Sequence, residues 1–145
     1  MKVERVEQPA INVHNLEEAI KLYSDILETE FEIFDDSVIE KTVADDAKPS
    51  EGVTRTRIAL DRTGFFELVE NDPPVAQEGL RNIHVKVPDI EEAIAELQGK
   101  GIHLLARIKI GAFKEAIFNP DDLHGVRLCL VEYDTPSLVE AFHEK

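Results

Sequence analysis

Hydrophobic and polar positions alternate along the start of the chain and then change to a helical spacing. Residues 5–13 alternate, with Pro9, Ile11 and Val13 on one face, which predicts a strand with one apolar side. Asn15 follows with the character of a helix N-cap. The apolar positions that then recur at helical spacing are Leu16, Ala19, Ile20, Tyr23 and Leu27. The further strand candidates of this half are 30–43, 53–60 and 65–70.

The second half of the chain repeats the order of the first. The segment NLEEAI at 15–20 returns as DIEEAI at 89–94, and a strand-like run precedes each copy. An internal repeat of this kind predicts two copies of one structural unit. Asp89 is the predicted cap of the second helix, which Gly99 and Gly101 end. The predicted strands of this half are 80–87, 102–108, 112–118 and 126–132.

Each half therefore has the order strand, helix, strand, strand, strand, which predicts an α+β fold of two tandem βαβββ modules. The first module covers about 3–70 and the second about 80–133, joined by a linker at 71–79. A short helix is predicted at 135–145, beginning near Thr135-Pro136. With 145 residues, the chain is expected to form a single domain.

Charge and composition narrow the classes of partner. The net charge is −14, and no stretch rich in lysine or arginine offsets it, so we expect neither nucleic acid nor membrane as a partner. The single cysteine, Cys129, excludes an internal disulfide and fits a reducing compartment. The opening residues lack the apolar region of a signal peptide, which favours a cytoplasmic location.

The two tandem modules resemble the vicinal-oxygen-chelate superfamily, which includes glyoxalase I, extradiol dioxygenases and bleomycin-resistance proteins. The resemblance is sharpest in VKVPDIEEA at 85–93. The stretch from IGA at 110–112 through FNPDDLHGV at 118–126 is similar to the corresponding part of methylmalonyl-CoA epimerases. The resemblance implies a cupped, barrel-like mixed sheet around a cavity. It does not fix the reaction, because one fold hosts many chemistries.

Members of the superfamily that carry a metal take one ligand from the first and one from the last strand of each module. The resemblance places these four positions at Gln8, Glu67, Asn82 and Cys129. Gln and Glu suit an octahedral divalent ion, whereas Asn is a weak neutral donor and Cys must first lose its proton. In the epimerases, an acid at the last position is also associated with proton transfer at the substrate α-carbon. No metal cofactor is therefore favoured, although a divalent ion stays an alternative.

His84 offers a displaced metal site, since it lies two residues from Asn82 on the same strand face. The ligands would then be Gln8, Glu67 and His84. Against this, a step of two residues moves a ligand by roughly 7 Å. Arg127 shares a strand face with Cys129, and it either pairs with Glu67 or holds a substrate carboxylate.

Two function classes remain open. The first is a small-molecule-binding protein that keeps the cavity without the metal. Its ligand-contacting residues would be Gln8, Asn82, Arg127 and Cys129. The second is an isomerase or lyase of epimerase or glyoxalase type, which moves a proton next to a carbonyl or thioester with Glu67 or His84 as the base. Each side chain also has a purely structural interpretation, as a buried or hydrogen-bonded group. Strand edges and the tail helix favour a homodimer.

Overall fold

The computed structural model describes residues 1–44 and 55–144, and its central feature is one mixed ten-stranded sheet. The strands are β1 (Arg5–Val6), β2 (Ala10–Asn12), β3 (Phe31–Asp35), β4 (Glu40–Val43), β5 (Arg55–Asp61), β6 (Glu67–Asp72), β7 (Gly79–Lys86), β8 (Leu104–Ile110), β9 (Phe113–Phe118) and β10 (Leu128–Glu132). The helices are α1 (Leu16–Leu27), α2 (Ile90–Gly99) and α3 (Leu138–His143).

Side-chain caps start both longer helices where the sequence predicts them. The Asn15 side chain accepts a hydrogen bond of 3.0 Å from the backbone N–H of Glu18, and the Asp89 side chain does the same for Glu92. Their apolar faces then pack on the sheet, with α1 against β5 and β6 and with α2 against β9 and β10. The two helices thus cover equivalent strands of the two halves.

The order of strands shows the repeat directly. Across the sheet it runs β3-β5-β6-β2-β7-β10-β9-β8-β4, and β1 also pairs with β7. In each half the first strand runs parallel to the last, as β2 does with β6 and β7 with β10. The halves meet where β2 and β7 pair in antiparallel fashion. The predicted α+β class with a curled mixed sheet is confirmed.

The prediction of one strand at 30–43 is wrong. The segment forms two strands, because a short turn at Asp36–Val38 interrupts it. The Asp35 carboxylate caps this turn by accepting a hydrogen bond of 2.9 Å from the Ser37 backbone N–H. After this turn, β4 leaves its own half and pairs with β8 of the other half, whereas β3 pairs with β5. The first predicted strand is likewise divided into β1 and β2 around Pro9, which cannot donate to a ladder. The loop expected at 44–52 lies, apart from Ala44, outside the described residues.

The tail forms a shorter helix than expected and packs on the sheet. Ser137 caps α3, which contacts β8 and β9 and joins a buried cluster with Phe34 and Phe113. Gly111 allows this close approach, since a Cβ there would lie 2.5 Å from the carbonyl oxygen of Ala141. Within 1–44 and 55–144, no helix combines the length and the apolar character needed to cross a membrane.

Candidate functional site

A cavity of about 270 Å³ lies inside the curled sheet, and both halves of the chain contribute to its wall. One side of the wall is apolar and includes Ile58, Ile108, Ile110, Phe113, Ile117 and Phe142. The polar side includes Glu67, Arg81, Asn82, Glu115 and Arg127. A cavity with an apolar body and a few convergent polar groups is the usual form of a small-molecule site.

His84 lies behind the polar wall and is only 2% exposed. Its Nδ1 is 2.9 Å from the backbone carbonyl oxygen of Gln8, and its Nε2 is 2.9 Å from Oε2 of Glu115. Both neighbours are hydrogen-bond acceptors, so the ring donates from both nitrogens and carries a positive charge. Burial alone lowers the pKa of His84, but the carboxylates of Glu115 and Glu67 outweigh it and raise that pKa to about 9. His84 is therefore a cationic donor near neutral pH and not a free base.

The pKa values of the two buried carboxylates next to His84 are shifted in opposite directions. Burial acts to raise the pKa of Glu115, but the hydrogen bond and charge of His84 hold it below its usual value. Glu67 is farther away, with its Oε2 3.7 Å from His84 Nε2. The pKa of Glu67 is raised, mainly by burial and further by the charge of Glu115. Glu115 thus carries the negative charge of the ion pair, while Glu67 is the acid that more readily holds a proton.

Asn82 and Cys129 contact each other beside this ion pair. The Asn82 Nδ2 donates to the Cys129 Sγ over 3.3 Å, and it lies 3.2 Å from the His84 Nε2. Cys129 is fully buried, and burial together with the charge of Glu115 raises its pKa well above 9.0. The thiol therefore keeps its proton. Among the residues that the structure describes, the buried Asn82 Oδ1 has no hydrogen-bond partner.

The structure brings most of the predicted site residues together. Glu67, Asn82, His84 and Cys129 form one cluster, in which strand pairing sets Cys129 opposite His84. Gln8 reaches this cluster through its backbone carbonyl, whereas its buried side-chain oxygen contacts no hydrogen-bonding group in the described part of the chain.

The expected pair of Glu67 with Arg127 is not found. Arg127 lines the cavity but forms no salt bridge within residues 1–44 and 55–144, and the cation within 4 Å of Glu67 there is His84.

Sequence reasoning missed Glu115 and Arg81. Glu115 alternates with Phe113 and Ile117 on one face of β9, and an acid on this otherwise apolar face was the available signal. Arg81 stands between Leu80 and Asn82 in β7. Because side chains alternate between the two faces of a strand, the Arg81 side chain is expected on the face opposite to Asn82. However, β7 has one extra residue here, since Ala10 pairs with Asn82 and Ile11 with Leu80. This bulge lets both Arg81 and Asn82 line the cavity.

The donor set does not fit the divalent centre implied by the resemblance. The displaced set of Gln8, Glu67 and His84 stays a prediction, and it would require His84 to give up a contact, because its nitrogens already contact Gln8 and Glu115. Another cluster, His84, Glu115 and Cys129, has ligand atoms within 4.8 Å of one another. It suits a softer ion such as Zn²⁺, but the ring and the thiol would first have to release protons.

The overall structure is similar to those of methylmalonyl-CoA epimerases. A variant of the Streptomyces coelicolor epimerase in complex with 2-nitronate-propionyl-CoA is 19% identical, with a TM-score of 0.62 over 92% of this chain and 100% of that one. The epimerase of Mycobacterium tuberculosis is 20% identical, with a TM-score of 0.62 over 96% of this chain and 93% of that one. A hypothetical protein from Bacillus halodurans is 21% identical, with a TM-score of 0.62 over 92% of this chain and 96% of that one.

No protein-family model and no curated protein sequence matches the chain. At this level of identity, the similarity to the epimerases concerns the fold and leaves the reaction open. The chain therefore has the glyoxalase-like fold of the methylmalonyl-CoA epimerases, built around a cavity with its own set of buried polar groups.

Proposed function

We propose that this protein binds a small molecule in the cavity and does not use the usual divalent metal centre of its fold. The observation that carries the proposal is the cluster at the expected ligand positions. There, a protonated His84 is bound to Glu115, and Asn82 contacts the thiol of Cys129. These contacts occupy both nitrogens of His84 and leave the Cys129 thiol protonated, so the charged donors that a hard divalent ion needs are reduced to Glu67, beside the neutral oxygens of Gln8 and Asn82.

The size and lining of the cavity support binding of a compact ligand. A volume of about 270 Å³ lies near the lower end of the range of about 300–1,000 Å³ for small-molecule sites. Isoleucine and phenylalanine side chains can bury the body of such a ligand, while polar groups from both halves orient it.

The proposal is tested by metal analysis and by blocking the cavity. Protein purified without chelator should contain no stoichiometric divalent metal, and a chelator should leave its Tm unchanged. Small molecules that raise the Tm of the wild type should lose this effect in Ile108→Trp, which fills the cavity wall. They should keep it in Ile33→Trp, whose side chain lies on an exposed edge strand. Tightly bound metal in the purified protein would contradict the proposal.

A second candidate, an epimerase-like isomerase, is favoured by Glu67. This carboxylate lines the cavity, and its raised pKa makes it a stronger base than an exposed glutamate. His84 is not suited to that role, because both of its nitrogens donate. Incubating methylmalonyl-CoA with the protein in deuterated water should then produce α-hydrogen exchange that Glu67→Gln removes. Exchange at the rate of the protein-free buffer would exclude this candidate.

A further inference from the structure

Two arginines from different elements reach the wall of the cavity. Arg81 lies at the bulge in β7, and Arg127 directly precedes β10. The Arg81 Nη1 donates a hydrogen bond of 3.0 Å to the Asn12 Oδ1, which holds one end of the guanidinium group. The bulge and this hydrogen bond together fix a cationic group next to the cavity.

Neither arginine has the carboxylate partner that most other arginines of the described residues have. Arg57, for comparison, forms salt bridges of 2.7 Å with Glu17 and 2.8 Å with Glu70. Within 1–44 and 55–144, Arg81 and Arg127 make no salt bridge, and the Arg127 Nε is buried without a hydrogen-bond acceptor. A buried N–H group of a guanidinium is costly to leave unsatisfied, so this atom points to a missing acceptor.

The charges around the cavity also leave an excess of positive charge. Burial lowers the pKa of Arg81, and the next cause is the like charge of Arg127, so the two cations lie close enough to repel each other. Glu67 and Glu115 act on Arg81 in the opposite direction, but Glu115 is bound to His84 and the pKa of Glu67 is raised. The remaining charges of the lining, Asp36 and Lys41, have opposite signs and offset each other. Because the protein as a whole has a net charge of −14, this cluster of cations is a local exception.

We propose that the ligand of the cavity is a small organic carboxylate, whose oxygens accept hydrogen bonds from Arg81 and Arg127. The inference rests on the proposed function and adds the chemical class of the ligand. A carboxylate presents two acceptors in the geometry of a guanidinium group and neutralises the excess charge. The apolar part of the molecule then lies against Ile108, Phe113 and Ile117.

The test compares acids with uncharged molecules of the same shape. Butyrate and benzoate, with butyramide and benzamide as their neutral counterparts, are titrated into the full-length protein while the Arg Nε–H signals are followed by ¹H–¹⁵N NMR. Inorganic phosphate is titrated in the same way. The acids should shift the Arg127 Nε–H signal and bind about tenfold or more tightly than the amides, since hydrogen bonds to charged groups are the stronger ones.

Variants assign the effect to the arginines. Arg127→Gln should weaken butyrate and benzoate binding by about tenfold or more and leave the amides unaffected. Arg62→Gln is the matched control, because Arg62 is exposed and lies outside this cavity. Arg81→Gln is a second variant, should Arg127→Gln fail to fold.

Three outcomes would overturn the inference. Equal binding of acids and amides, abolished by Ile108→Trp, would refute the carboxylate class and leave the proposed function intact. If phosphate binds more tightly than both acids, the carboxylate class is refuted as well, and the ligand is an anion of another class. If no acid, amide or phosphate binds, and none of the molecules that raise the Tm depends on the cavity, the proposed function fails as well.

Discussion

Raising the pH from 6.5 to 9 is expected to weaken the fold, because the folded protein holds His84 protonated. The pKa of its ring is raised to about 9, against 6.5 for an unperturbed histidine. When the folded pKa is the higher one, the stabilising contribution is complete below pH 6.5 and is lost as the pH rises through 9. The contribution of Glu115 lies outside this window, since its lowered pKa matters only under acidic conditions.

The size of the effect follows from the two pKa values. The rise from 6.5 to about 9 corresponds to about 3 kcal/mol, at about 1.4 kcal/mol per pKa unit. His84 is 2% exposed, so solvent screens this interaction little. For a protein of this size, about 3 kcal/mol lowers the Tm by roughly 10 °C.

The assay is urea unfolding at a series of pH values between 6 and 9, together with NMR titration of the His84 ring. The range ends at 9 because ionisation of the Cys129 thiol in the unfolded chain adds a further loss above it. In Glu115→Gln the loss should largely disappear, since burial then favours the neutral ring. Glu40→Gln, an exposed change on β4, is the matched control and should behave like the wild type. A flat free energy of unfolding in the wild type, or a His84 that titrates at or below pH 6.5, would refute the assignment.

Two glycine and two phenylalanine substitutions test the packing, and a labelling experiment tests the burial of Cys129. Gly111→Ala should lower the free energy of unfolding by about 2–5 kcal/mol, because its Cβ meets backbone carbonyls of α3 in addition to the left-handed strain. A Cβ at Gly101 would have no neighbour within 4 Å in the described structure, so Gly101→Ala should lower the free energy of unfolding by only about 1–2 kcal/mol, from the left-handed backbone alone. Phe118→Ala should cost about 3–5 kcal/mol in urea unfolding, whereas the exposed Phe65→Ala should cost under about 1 kcal/mol. Iodoacetamide at pH 8 should leave native Cys129 unmodified by mass spectrometry and label it in urea, since the folded thiol is buried and protonated.

Local signals in the sequence were sufficient for the repeat and for several residues of the cluster. The caps Asn15 and Asp89 act through hydrogen bonds to residues three positions away, so they can be read from spacing alone. The period of two in a strand likewise places Asn82 and His84 on one face. These predictions depend on short-range geometry, which the chain determines nearly by itself.

Features that depend on long-range pairing could not be read in this way. The exchange of β4 between the halves requires a partner, β8, more than sixty residues away in sequence. The bulge that turns Arg81 inward exists only because of its register with β2. Glu115 was missed because the resemblance offers no ligand position on that strand, although its partner His84 was identified.

The path of β4 has a consequence for any attempt to divide the molecule at the repeat. A fragment beginning after the linker would retain β7 to β10 and both of the helices that follow the linker, but it would lack the strand that covers the outer side of β8. Exposed backbone N–H and C=O groups along such a seven-residue edge promote association with other chains. The duplicated halves are thus no longer interchangeable units, and we expect them to be soluble only as one polypeptide.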